Sequence, residues 1–181
     1  AGGGQRVSAA TVDGPFTEAE LDAAIAAMRD RAEPPVFQIL PGAGALDAAL
    51  AARGWRLHDP VLIHLAPAAR LASPELRRLA AFAHWPALAL QRDLWAEGGI
   101  GPARLAVMER APLPKATLLG RTADRGAGTA FVAVADGIAG LHGLTVLPHL
   151  RRSGTARNLM TLAGRWAVAN GADWLALAVT R

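Results

Sequence analysis

The chain contains no cysteine and no tyrosine, has Lys115 as its only lysine, and is poor in aromatics at 5%. Without thiols it can form neither disulfides nor thiolate metal sites, which fits a reducing, cytoplasmic setting. Without tyrosine it has no phenol to act as a proton donor. No apolar run approaches the ~18 residues of a membrane helix, and no charged-then-apolar leader opens the sequence, so no membrane partner is expected. His58, His64 and His84 lack metal-ligand spacing and carboxylate neighbours, so no metal is expected. The net charge of +4 is almost entirely arginine. Such basicity can mark a nucleic-acid binder, but no basic stripe interleaves with aromatics, and scattered surface arginines explain it without a nucleic-acid partner. The opening Ala1-Gly2-Gly3-Gly4 has no initiator Met and fits a segment of a longer protein.

What is present is globular: 52% hydrophobic against 19% charged residues, in a length that suits one domain or two small ones. The first part predicts alternation of strand and helix. Gln5 to Val12 reads as a strand, and Thr17-Glu18-Ala19-Glu20 is a capping box opening a helix to about Arg31. Val36 to Leu40 reads as a strand, Leu46 to Arg53 as a helix stopped by Gly54, and Trp55 to Leu65 as strand material. These readings give a unit over residues 1–66, and the Pro- and Ala-rich residues 67–74 read as a linker. In residues 75–181, Ser73-Pro74-Glu75 predicts a helix to about Ala83, followed by helices over Ala87–Glu97 and Pro102–Glu109. Lys115 to Arg121 reads as a strand, and Thr129–Ala135 and Ile138–Val146 as a hairpin turned at Asp136-Gly137. Arg157–Asn170 reads as a helix ended at Gly171, and Trp174–Val179 as a fully apolar strand from the middle of a sheet.

The most informative run is Leu144-Thr145-Val146-Leu147-Pro148-His149-Leu150-Arg151-Arg152-Ser153-Gly154-Thr155-Ala156-Arg157. It reads as a strand stopped at proline, a basic turn, and a helix opened by small residues. A helix start has N–H groups without partners and the positive end of the macrodipole, so it attracts phosphate. Gly154 and Ala156 would let a pyrophosphate approach the backbone, with Arg151, Arg152 and Arg157 around it. The pattern Arg-x-x-Gly-x-Ala behind Val-x-Pro resembles the acetyl-CoA signature of the GNAT acetyltransferase superfamily, and the element order over about residues 85–181 is similar to that fold. The resemblance implies an α/β (α+β) acyl-CoA N-acyltransferase fold, a mixed twisted sheet flanked by helices. Leu46 to Trp55 resembles that family's last helix and its Gly-aromatic exit, which implies a tandem-like chain whose first half is degenerate and holds no CoA.

The resemblance further implies N-acetyltransferase activity, with acetyl-CoA as cosubstrate and a primary amine as acceptor attacking directly. By position, Leu144, Thr145 and Val146 would hold the pantetheine arm, with the Val146 N–H donating to the thioester oxygen. Ser153 and Thr155 would join the glycine turn and the arginines in binding the phosphates. An amine with a pKa near 10.4 must lose a proton, and His142, on the strand where the family often places a glutamate, is the candidate base; a histidine that only bonds within the sheet is the alternative. The family's tyrosine acid has no counterpart here, and a final apolar strand at Arg181 would leave a sheet edge and core open, so further chain is expected after it. Trp85 and Trp95 read as core or as acceptor-pocket wall, and Gly98-Gly99-Ile100-Gly101-Pro102 as a rim of that pocket. A non-catalytic acyl-CoA-binding or regulatory module is the rival reading, and a homodimer is left open.

Overall fold

The computed structural model describes residues 3–180, and its chain divides between His58 and Asp59 into two compact units, 1–58 and 59–181. The first unit carries helices α1 (Gln5–Ser8), α2 (Glu18–Asp30) and α3 (Gly44–Ala52). The capping box forms as predicted: the Glu20 N–H donates to Thr17 Oγ1 at 3.2 Å, and the Thr17 N–H donates to Glu20 Oε2 at 2.7 Å. Leu21 and Ile25 of α2 bury against Leu46 and Leu50 of α3, with Phe37 and Trp55 packed edge to face at 5.4 Å beside them. The Arg53 guanidinium ties the two helices by donating to Glu18 and to Asp22. The expected strands do not form here. Gln5–Ser8 is a helical turn, with the Val7 N–H and the Ser8 hydroxyl both donating to the Gly4 carbonyl. Residues 36–40 contribute one isolated parallel bridge, Ala10 to Phe37. Pro34-Pro35 removes two backbone donors just ahead of that segment, so the pairing cannot lengthen backwards.

The second unit is built on a six-stranded mixed sheet in the order β1-β6-β5-β4-β3-β2. Its elements in chain order are β1 (Val61–Pro67), α4 (Ala68–Ala72), β2 (Ala81–His84), α5 (Ala89–Glu97), α6 (Pro102–Arg110), β3 (Lys115–Thr122), β4 (Arg125–Ala135), β5 (Ile138–Val146), α7 (Thr155–Ala169) and β6 (Trp174–Thr180). Residues 67–74, expected as a linker, instead close β1 and form α4. Its Ala68 is fully buried, and the α4 backbone is met so closely by Gly164 of α7 that a Cβ there would lie 2.7 Å from the Ala72 nitrogen. Residues 73–83, expected as a helix, give an irregular stretch and then β2. Leu79 takes φ +65°, which no helix tolerates, and Phe82 pairs with Leu119. Tertiary pairing overrides the helix propensity of the Ala-rich segment.

The hairpin β4–β5 turns at Asp136-Gly137 with both residues at positive φ, as its sequence predicts. Leu159, Ala163 and Ala167 of α7 bury against Leu118, Val132, Leu141 and Leu175 on one face of the sheet. Trp95 of α5 and Met108 of α6 bury against Phe131 on the other. Gln91 anchors the start of α5: its Oε1 lies 2.6 Å from His84 Nε2 and accepts from the Leu88 N–H and Thr117 Oγ1, and its amide donates to Thr129 Oγ1. Lys115 is structural. Its ammonium sits 4.4 Å over the Trp85 ring and donates to the Glu109 and Ala111 carbonyls at the end of α6.

The final strand does not leave an open edge. β1 pairs antiparallel along all of β6, from Pro67↔Trp174 to Val61↔Thr180, which places β6 inside the sheet. Residues 55–60, expected as strand, precede β1 and belong to no strand.

Candidate functional site

The strands β5 and β6 are parallel and paired only from Ile138↔Trp174 to Leu141↔Leu177; beyond that point β5 runs on to Val146 and β6 to Thr180 without a shared ladder. A gap therefore opens in the sheet and widens toward residue 146. A bulge on β5 sets what faces the gap. Thr129 opposes Thr145 and Phe131 opposes His142, so Gly143 and Leu144 together oppose Ala130. Gly143 takes φ +59°, a conformation that favours glycine. The extra residue reverses the alternation of backbone N–H groups along the strand. The Leu147 N–H donates back to the Ala127 carbonyl on β4 at 3.0 Å, so by strand alternation the Val146 N–H points away from β4, into the gap.

At its wide end the gap meets the predicted phosphate turn. Pro148–Leu150 make one 3-10 turn, Arg152 (φ +60°) and Gly154 (φ +87°) reverse the backbone, and α7 starts at Thr155 with Gly154 as its N-cap. A Cβ on Gly154 would meet nothing within 4 Å, so the space above this helix start is open. Thr155 is 1% exposed and sits so tightly over the sheet that a Cβ on Gly120 would fall 2.8 Å from its methyl. The hydroxyls of Thr122, Ser153 and Thr155 lie 2.7–3.2 Å from one another, and Ser153 Oγ donates to the Leu150 carbonyl at 2.6 Å. These bonds lock the turn onto the end of β3 and aim the first free N–H groups of α7 outward.

A cavity of about 710 Å³ joins gap and turn. It is lined by Leu144, Thr145 and Val146, by Arg151 and Arg152, and by Gly154, Thr155, Ala156 and Arg157. Of the residues proposed from sequence to hold a cofactor, all but Ser153 line it; Ser153 braces the turn from within. Arg151 also donates from Nε to the Val146 carbonyl at 3.2 Å, which links the basic turn to the strand. His142 does not line this cavity. It is exposed, directly opposite Phe131, one residue beyond the last β5–β6 pair. Its ring lies over Gly140, with Nε2 2.9 Å from where a Cβ would stand. It therefore occupies the narrow end of the gap, on the sheet face that α5 and α6 cover elsewhere.

Two contributors, Glu97 and Thr122, escaped the sequence. Glu97 and Gly98, at the end of α5, line the cavity; Gly98, read from sequence as part of an acceptor-pocket rim, packs on Thr145, where a Cβ would come within 2.5 Å of its methyl. Thr122 joins the turn from β3. Nothing in its local sequence marks it. Trp95, read as either core or pocket wall, is fully buried and donates from Nε1 to the Gly143 carbonyl at 2.7 Å. Among the described residues no cluster of His, Cys, Asp or Glu could hold a metal ion, and no helix is long and apolar enough to cross a membrane.

The architecture, a mixed sheet flanked by helices, resembles the fold of solved GCN5-related N-acetyltransferases. Among solved structures, a GCN5-related N-acetyltransferase from Kribbella flavida superposes with a TM-score of 0.58 at 19% identity, covering 92% of this chain and 68% of its own. A GCN5-related N-acetyltransferase from Sphaerobacter thermophilus gives 0.62 at 13% identity, with 92% and 61% covered. A conserved protein of unknown function from Staphylococcus epidermidis gives 0.61 at 12% identity, with 94% and 73% covered. The chain thus spans between 61% and 73% of the length of these structures. No protein-family model and no curated protein matches the chain. At these identities the likeness establishes the fold, and the chemistry is argued from the site.

Proposed function

We propose that residues 59–181 bind an acyl-coenzyme A, with acetyl-CoA as the first candidate, and transfer its acyl group to a primary amine by direct attack. The observation that carries this reading is the β5–β6 gap running into the open start of α7. A gap flanked by unpaired strand N–H groups accepts an extended amide-bearing arm as an added strand, and a helix start ringed by arginines accepts the pyrophosphate at its end. The donor set fits such a molecule: Arg151, Arg152 and Arg157 for the phosphates, Leu144 and Val146 for the arm. The acyl-CoA supplies an activated thioester carbonyl, and the chain supplies orientation, charge stabilisation and proton removal. Holding the two reactants in attack geometry accounts for roughly 7–11 kcal/mol of barrier in favourable cases. The N–H of Val146, or of Leu144 about 7 Å farther from the turn, would meet the thioester oxygen as negative charge develops there. Thr145 would pack the arm against Gly98. His142, at the narrow end, would take the amine proton directly or through a water.

The N-terminal unit has neither a glycine turn nor an arginine cluster of this kind, and we assign it no CoA site; its origin as a degenerate copy of the same fold is part of the same proposal. A non-catalytic acyl-CoA-binding role is favoured by one fact, the lack of both a tyrosine and a carboxylate on Ile138–Val146. The two readings separate on CoA release from acetyl-CoA over a panel of amines. Amine-dependent release supports transfer, and tight binding without release supports the module. If acetyl-CoA does not bind at all, both readings fall.

A further inference from the structure

Buried indoles that hydrogen-bond into a core are common, but the Trp95 bond ends on an unusual acceptor. Its partner is the carbonyl of the bulge residue, Gly143, the one residue whose insertion reverses the N–H alternation of β5. The space where a side chain would stand on Gly143 is already filled. A Cβ there would stand 3.0 Å from Met108 Cε, 3.1 Å from Trp95 Nε1 and 3.4 Å from Ile100 Cδ1, and its φ of +59° already favours glycine. Trp95 itself has no exposed surface and packs with Met108 and Phe131. Its ring position is therefore fixed by α5, α6 and β4 together, and the N–H is delivered to one point. Should the bulge relax into a regular ladder, the alternation would revert, and Val146 would turn its N–H back toward β4.

We propose that Trp95 is a positioning residue for acyl-CoA: its indole N–H pins the Gly143 carbonyl and so keeps the bulge that presents the Val146 N–H in the β5–β6 gap. Trp95 touches no part of the ligand. It acts through the bulge, and only on the arm-holding part of the site. The phosphate turn is fixed separately, by the Thr122–Ser153–Thr155 hydroxyls and the seating of Thr155. This inference rests on the acyl-CoA reading.

The test compares two probes by isothermal titration: CoA, and adenosine 3′-phosphate 5′-diphosphate, which carries the same phosphates without the pantetheine arm. In the unaltered protein CoA should bind more tightly than the nucleotide. Trp95→Phe keeps an aromatic ring and removes the donor. CoA affinity should fall about 5- to 30-fold, the loss typical of one well-buried hydrogen bond, while nucleotide affinity stays within about twofold. A fall in both by the same factor, or in neither, overturns the positioning role. Failure of the unaltered protein to bind either probe would instead sink the acyl-CoA reading. Should Trp95→Phe not fold, the Trp95 indole proton of the unaltered protein decides by NMR. A resonance that exchanges slowly and shifts with CoA, but not with the nucleotide, supports the proposal, and one that CoA leaves unmoved refutes it.

Discussion

If a pyrophosphate lies on the start of α7, the side chains at 154 and 156 should control its approach in separable ways. Gly154 has φ +87° and open space where a Cβ would stand. Gly154→Val therefore carries two penalties, backbone strain of about 1–3 kcal/mol for a branched residue at positive φ and obstruction of the ligand. Ala156 stands in the first turn of α7, exposed, with helical backbone. Ala156→Val adds the same obstruction for about 0.6 kcal/mol of helix propensity. Thermal denaturation should show Ala156→Val melting within about 2 °C of the unaltered protein, and Gly154→Val several degrees lower. Both should weaken acetyl-CoA binding by tenfold or more, since even about 1.4 kcal/mol of lost phosphate contact amounts to that factor. The Ala156 variant is the informative one, because it is folded by any reckoning. Unchanged acetyl-CoA affinity in Ala156→Val would show that no phosphate sits on this helix start, and the placement of the cosubstrate would be wrong.

Three further outcomes follow from the same geometry. His142→Ala should lower turnover roughly 10²- to 10⁴-fold with acetyl-CoA affinity unchanged, and raised pH should restore part of the loss because more amine is already neutral; an unchanged rate and acidic limb would make His142 structural. Gly164→Ala should destabilise the second unit by up to about 2 kcal/mol net in denaturant melts. Overpacking against the Leu71–Ala72 backbone costs about 1–3 kcal/mol and exceeds the ~1 kcal/mol that alanine gains as a helix former. Glu20 is held below the ordinary carboxylate range by the Thr17 backbone N–H and then by the Thr17 hydroxyl. Its contribution to α2 should be present above its unfolded pKa and fade as pH falls through the folded value, and Thr17→Ala, costing about 1 kcal/mol at neutral pH, should reduce that acid dependence only in part, because the backbone N–H of residue 17 remains.

Legibility followed the range of the interactions involved. Elements specified by neighbours in sequence were readable: the Thr17 capping box, the Asp136-Gly137 turn, α5, α6 and α7, and the run from Leu144 to Arg157. Elements specified by distant partners were not. The segment Leu79-Ala80-Ala81-Phe82-Ala83 reads as helix by propensity and becomes β2 because β3 offers it an edge. Ala68–Ala72 reads as linker and becomes α4 because Gly164 leaves a groove for it, with Arg165 donating to the Ala72 and Pro74 carbonyls beyond its end. The strand that closes the sheet beside β6 lies more than a hundred residues earlier in the chain, so a reading that looked only forward from Trp174 expected an open edge.

The same distinction divides the site. The end proposed for the phosphates is written in one contiguous stretch, where glycine, small residues and arginines stand in register with a helix start. On the acyl-CoA reading, the acyl end depends on Trp95 and Met108 from two helices, and Ile100 from the link between them, meeting Gly143 on a strand about forty residues later. A motif can therefore survive in the sequence while the gap above it closes, and a chain with an intact glycine turn would still bind only nucleotide. Substitutions at the turn should weaken CoA and its nucleotide fragment alike, whereas those around Gly143 should act on CoA alone. The side of that line on which a variant falls is thus a measure of which half of the gap it has reached, independent of any acceptor.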